Sequence, residues 1–331
     1  MKHFITTLDW SRQELQAMLD HAKELKADPF QPLLKGKSVA LVFFNPSLRT
    51  RSSFDIGAHQ LGGHAIVLQP GRGAWPMEFE IGSPMDGDAE EHVIEAARVL
   101  SRYCDIIAVR AFPKFENWQE DRRDKVIRAF ADYATVPVIN METITHPCQE
   151  MAHMMTLQEH LGETDGKKFV LTWTYHPKPL NTAVANSGLI IAAKFGLDVT
   201  LLCPTEEYLL DERYMSAARE LTEAQGRSLT VTHDIAEAYD GAHVVYAKSW
   251  GALPYFGRWD QEKEIRDQYK HFMVDSEKMA MTDDALFSHC LPVRRNVKVT
   301  DQVLDSQASV AIDEAENRLH VQKAIMAKLV G

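Results

Sequence analysis

The sequence predicts an α/β protein built as two doubly wound parallel-sheet domains. Short Val/Ile/Leu-rich runs alternate with stretches of helical period, the pattern of βαβ units whose strands are buried on both faces. The alternation restarts after a long helix near residue 150, and a chain of 331 residues suits about two domains. The residues with most chemistry to offer fall just after apolar runs, at the strand ends where open parallel sheets bind ligands.

Residues 11–27 place Leu15, Met18, Leu19, Ala22 and Leu25 at helical spacing, with Ser11 and Glu14 as a capping box. A strand over 38–44 leads through a polar turn to a helix from Ser53 to Leu61, then to a strand over 64–68. Asp88 and Glu91 suggest a capping box for a helix over 90–103, with Glu90 in its first turn. Strands over 105–110 and 136–140 flank a helix over 124–133, and a long helix runs from Cys148 to Leu161. The second set has strands over 169–174, 199–203, 229–232, 244–247 and 285–288, with helices near 182–195, 211–224 and 276–281. The last helix, Glu314 to Val330, is capped by Asp313 and Glu314 and is expected to pack back on the first domain. The domains expected are 1–147, with 314–331 returning to it, and 148–313.

Lys plus Arg of 36 against Asp plus Glu of 47 leaves 36 − 47 = −11, which disfavours a nucleic-acid or anionic-membrane partner. Hydrophobic content of 45% and charged content of 25% fit a soluble globular protein. The four cysteines show no Cys-x-x-Cys or zinc-finger spacing, so reduced thiols are the expectation. No apolar run approaches the roughly 18 residues of a membrane span, and Met1–Ile5 lacks the apolar core of a signal peptide. A cytoplasmic protein needing neither metal nor cofactor is predicted.

Phe44-Asn45-Pro46-Ser47-Leu48-Arg49-Thr50-Arg51 joins the apolar run 38–43 to its helix. The first amides of a helix lack intrahelical acceptors and the peptide dipoles add positive charge there, so an anion at Ser47–Thr50 is favoured twice. Arg49 and Arg51 add forked donors suited to phosphate oxygens. The stretch is not a Gly-x-x-x-x-Gly-Lys loop, and a plain helix cap with two solvated arginines is the alternative.

Arg110 and His146 also follow first-domain strands. His146-Pro147-Cys148-Gln149 opens a helix, where the dipole favours a neutral imidazole able to donate to a carbonyl; capping alone would explain the same residues. The long loop from Pro70 to Asp88 carries Trp75. In the second half, Trp173 to Thr182 and Lys248 to Pro254 follow strands, as does His289-Cys290-Leu291-Pro292-Val293-Arg294-Arg295. Cys290 is open to three readings: a buried thiol, an acceptor or a nucleophile.

Ser47-x-Arg49-Thr50, His146-Pro147-x-Gln149 and His289-Cys290-Leu291-Pro292, in this order, resemble the aspartate/ornithine transcarbamylase family over nearly the whole chain. The resemblance implies an active site in the cleft between the two domains and a carbamoyltransferase of arginine biosynthesis. Carbamoyl phosphate would be held by Ser47, Leu48, Arg49, Thr50, Arg110, His146, Gln149, Cys290, Leu291 and Arg318, with Trp75 supplied across an interface of a homotrimer. Arg110, His146 and Thr50 would carry catalysis. The 175–181 turn and the Lys248 loop depart from the pattern that reads a free α-amine and look like the branch acting on N-acylated ornithine. Glu90, Glu142, His176, Asn181 and Lys248 would bind that acceptor. A carboxylate at Glu90 suits N-acetyl-L-ornithine better than the N-succinyl compound, whose terminal carboxylate it would repel. N-succinylornithine and ornithine are the alternative acceptors, and an anion-binding regulatory module is the non-enzymatic alternative.

Overall fold

The computed structural model describes all of residues 1–331 and divides into two compact units. The first comprises Met1–Pro113, Glu120–Cys148 and Arg318–Gly331; the second comprises Lys114–Gln119 and Gln149–Asn317. The last helix, Ala311–Val330, thus contributes residues to both.

The first unit holds strands β1 (Ser38–Phe43), β2 (His64–Leu68), β3 (Met77–Glu78), β4 (Glu91–His92), β5 (Ile106–Arg110) and β6 (Val138–Glu142). Its main sheet is parallel in the order β2-β1-β5-β6. Buried Val39–Phe43 and Ile106–Arg110 occupy its middle, which is why these strands read as continuous apolar runs. The chain moves from β1 outward to β2, then crosses back to β5 on the other side of β1. That reversal makes the carboxyl ends of β1 and β5 the topological switch point, where such sheets open a crevice. Phe4 bridges to Ile139 and covers the outer edge of β6, its carbonyl accepting from Asn140 N at 2.9 Å.

The second unit holds β7 (Lys168–Trp173), β8 (Asp198–Leu202), β9 (Leu229–Thr232), β10 (Val244–Lys248) and β11 (Leu286–Ser288). They form a parallel sheet in the order β11-β10-β7-β8-β9, so its switch point lies between β7 and β10. The helix Ala183–Lys194 is buried along its whole length, and Gly188 lets it approach β10 closely: a Cβ there would meet the Tyr246 ring at 3.0 Å. No helix is long and apolar enough to cross a membrane.

Four local expectations are corrected. The helix after β1 spans Arg49–Gln60, starting four residues before Ser53, and Ser47 Oγ, one residue ahead of the Leu48 N-cap, accepts from Thr50 N at 3.1 Å in its first turn. The helix expected from Glu90 begins at Val93, capped by His92; Glu91–His92 instead pairs with Met77–Glu78, so the Asp88/Glu91 box does not form and Glu90 lies in an exposed loop. β6 lies two residues later than expected, carrying Glu142 into the strand. Glu314 is not a solvated cap: it is fully buried, inside a helix that begins at Ala311. The Ser11/Glu14 capping box forms as expected.

Candidate active site

In the first unit, register brings the strand ends level. Phe43 pairs with Arg110 and Arg110 with Glu142, and Phe44 N donates to Arg110 O at 3.0 Å. Asn45 Oδ1 accepts from Phe112 N at 2.7 Å, tying the loop after β1 to the one after β5. Thr50 is buried at the start of its helix, and its hydroxyl receives Arg318 Nη2 at 2.5 Å and Arg110 Nη1 at 3.5 Å. Arg110 also donates to Glu142, whose carboxylate lies 3.5 Å from His146 Nε2.

Two guanidiniums, a hydroxyl, an imidazole and a carboxylate therefore form one linked group. Burial holds the Arg318 guanidinium down to about 10, with Cys148 and Glu142 pulling upward and Arg110 and Arg49 adding to the depression. It remains cationic at neutral pH. Such a set can bind an anion and donate to an oxygen that gains charge.

Ser47, Leu48 and Arg49 flank Thr50 at the same helix start, Leu48 with its side chain exposed. Trp75 and Glu90 stand apart on the 70–90 loop: Trp75 is 66% exposed, a large apolar surface for one indole.

In the second unit the segments after β7, β10 and β11 converge. Thr174 N donates to Lys248 O at 2.9 Å, and the Thr174 and Ser249 hydroxyls lie 3.1 Å apart. The Trp173 indole donates to Trp250 O at 2.9 Å and the Trp250 indole to Tyr208 O at 2.8 Å, so both loops rest on a buried aromatic floor. Lys248 Nζ reaches Cys290 Sγ at 3.5 Å, and Leu291 N donates to His289 Nδ1 at 2.8 Å.

Arg294 Nε donates to His176 Nε2 at 3.0 Å, and on the other side of the ring Nδ1 lies 2.7 Å from Lys178 O and 3.0 Å from Lys178 N. Burial pushes His176 down to about 4; the Lys178 carbonyl opposes this, and Lys298, Arg294 and Lys248 reinforce it. Lys298 is buried too and pushed down to about 7, first by burial, then by Lys248 and Arg294, with Cys290 acting the other way. Asn181 Oδ1 accepts from Ala183 N at 3.2 Å at the start of the buried helix. Gln149, near the start of the helix Pro147–Leu161, donates to Glu314 at 2.5 Å.

Sequence reasoning gave no site role to Arg294, Lys298 or Glu314. Their neighbours lie too far along the chain for any period or spacing to reveal them, His176 being 118 positions from Arg294 and Gln149 165 from Glu314.

Residues 2–159 match the carbamoyl-P binding domain of aspartate/ornithine carbamoyltransferases and residues 167–329 match their Asp/Orn binding domain. The chain belongs to this family. As a carbamoyltransferase it is 67% identical over 333 residues to the N-acetylornithine carbamoyltransferase of Xanthomonas campestris pv. campestris, covering 100% of this chain and 98% of that protein. Identity to the N-acetylornithine carbamoyltransferase of Xylella fastidiosa strain Temecula1 is 64% over 331 residues, covering 99% and 98%. A crystal structure of acetylornithine transcarbamylase complexed with acetylcitrulline is similar at a TM-score of 0.99 and 66% identity, covering 100% of both chains.

Proposed function

We propose that this carbamoyltransferase moves the carbamoyl group of carbamoyl phosphate to the δ-amine of N-acetyl-L-ornithine, giving N-acetyl-L-citrulline and phosphate, in arginine biosynthesis. The observation that carries the reading is the convergence of Arg110 and Arg318 on the Thr50 hydroxyl at an anion-binding helix start. Ser47, Leu48, Arg49 and Thr50 hold the phosphate. Arg110, His146 and Thr50 donate to the carbonyl oxygen as the amine adds to the carbamoyl carbon and that oxygen gains charge. The C–N bond forms, the C–O bond to phosphate breaks with its electron pair going to the phosphate oxygen, and the departing phosphate takes up the proton that the amine loses.

Gln149, one helical turn beyond His146, reads the carbamoyl amide together with Arg318 and the Cys290 and Leu291 carbonyls. Lys248, with Arg294 and Lys298, meets the α-carboxylate of the acceptor: the groups that act on Lys298 are two cations and a thiol, so an arriving anion relieves repulsion there. His176 and Asn181 shape that pocket, and Glu142, beside the polarising donors, accepts from the δ-amine. Glu90 faces the acyl end, and Trp75 serves a neighbouring copy in a homotrimer, which accords with its exposure.

Parallel assays of carbamoyl phosphate with ornithine, N-acetylornithine and N-succinylornithine test the reading in wild type and Glu90→Ala. The expected result is turnover of the acetyl compound by wild type, with a relative shift toward the succinyl compound in the variant. Turnover of free ornithine alone would overturn the acceptor assignment, and unchanged relative specificity would remove Glu90 from the acyl site.

A further inference from the structure

Glu314 is completely buried, and no step above uses it. Its Oε1 receives Gln149 Nε2 at 2.5 Å and the Tyr246 hydroxyl at 3.0 Å; its Oε2 receives the Ser288 hydroxyl and faces His153 Nδ1 at 3.2 Å. An ionised carboxylate only accepts, so the Gln149 group facing it must be the NH2. Turned round, Gln149 would press its carbonyl oxygen against a carboxylate oxygen in a buried place, with no donor between them. One of the two amide orientations is thereby selected, and the Gln149 carbonyl is directed away from Glu314.

The surroundings hold this arrangement still. The His153 and Tyr246 rings pack with centroids 4.0 Å apart, and Gly188 lies close against Tyr246. Burial opposes ionisation of Glu314, but His153, Ser288 and Gln149 outweigh it and hold the carboxyl below its ordinary range.

We propose that Glu314 is a positioning residue that makes the site select a carbamoyl over an acetyl group, by holding the Gln149 carbonyl ready to accept from the carbamoyl NH2. The proposal rests on the assignment of Gln149 to the carbamoyl pocket. Carbamoyl phosphate and acetyl phosphate are close in shape and differ by NH2 against CH3. A fixed acceptor pairs with the first and is left buried and unpaired by the second. With Glu314 replaced by an amide, Gln149 can turn and set its own NH2 against the carbamoyl NH2, donor against donor.

The experiment uses the purified full chain as wild type, Glu314→Gln and Tyr246→Phe. It compares kcat and KM for carbamoyl phosphate with the inhibition constants of acetyl phosphate and of inorganic phosphate. In Glu314→Gln the preference for carbamoyl phosphate over acetyl phosphate should fall about 10- to 100-fold, while inhibition by phosphate stays within about twofold of wild type. Tyr246→Phe removes a donor from the same oxygen but leaves Gln149 bonded, and should keep the preference. An unchanged preference in Glu314→Gln, or an equal loss in Tyr246→Phe, overturns the proposal.

If Glu314→Gln does not fold, a crystal structure of wild type with carbamoyl phosphate decides. Collected with neutrons, it shows the deuterons: the carbamoyl nitrogen donating to Gln149 Oε1 while Gln149 Nε2 donates to Glu314 supports the proposal, and Gln149 Nε2 facing the carbamoyl group overturns it. Wild type without turnover would overturn the function proposed above, whereas wild-type turnover with unaltered selectivity in Glu314→Gln overturns only the role of Glu314.

Discussion

The two units treat their cations in opposite ways. In the first, Arg110 is engaged by Glu142 and reaches Thr50, and Arg318 rests on the same hydroxyl. In the second, Lys298 is pressed by Lys248 and Arg294, and His176 by all three. The first set is neutralised in part and fixed in place before any ligand arrives. The second carries repulsion that a bound carboxylate would relieve. Donors already in place act on charge that develops during reaction, whereas repulsion relieved by binding acts on the ground state. The first set should therefore govern kcat and the second KM.

The largest effect that could break this contrast belongs to Arg110. Arg110→Met should lower kcat about 10²- to 10³-fold while moving the KM for N-acetylornithine far less. Steady-state kinetics check it, and a change confined to KM would put Arg110 on the wrong side of the comparison.

Lys248→Met should do the reverse, raising the KM for the acceptor about 10- to 100-fold with kcat nearly kept. It also removes a positive neighbour from Lys298, so the amine now held near 7 should titrate higher. NMR of ¹³C-labelled lysines reads that shift, and an unmoved resonance would show that the two ammonium groups do not act on each other.

The smallest effect concerns pH and stability. His176 titrates at about 4 in the folded chain against a reference of 6.5, so between those values the unfolded chain binds more protons and stability falls as pH drops. The loss amounts to on the order of 2–3 kcal/mol by pH 4. His176→Gln should flatten this acid limb in urea denaturation across pH 4–6.5, relative to wild type. An unchanged slope would mean that neither burial nor the three cations depress the ring.

Legibility in the sequence followed the range of the forces involved. β2 and β9 were readable to the residue, and β1 to within one, because apolar runs bounded by turns are local patterns. The Ser11/Glu14 cap was equally local, being a bond between residues three apart. Glu90 and Glu91 misled for the converse reason: a capping pattern was present, but pairing of Glu91–His92 with Met77–Glu78 offered the backbone other partners. Glu314 misled in the same way, since an acid near a helix start suits solvent as well as it suits four buried donors.

By itself, the sequence determined that two parallel sheets would form and that the first strand would run through a polar turn into a helix near Ser47–Thr50, because periodicity and turn chemistry act within a few residues. Tertiary structure alone decided that Arg318 meets the hydroxyl of Thr50, 268 positions away, and that Arg294 and Lys298 gather around His176 and Lys248. Burial then set the proton affinities of these groups, since desolvation depends on what surrounds a side chain in space and not on what stands beside it in the chain.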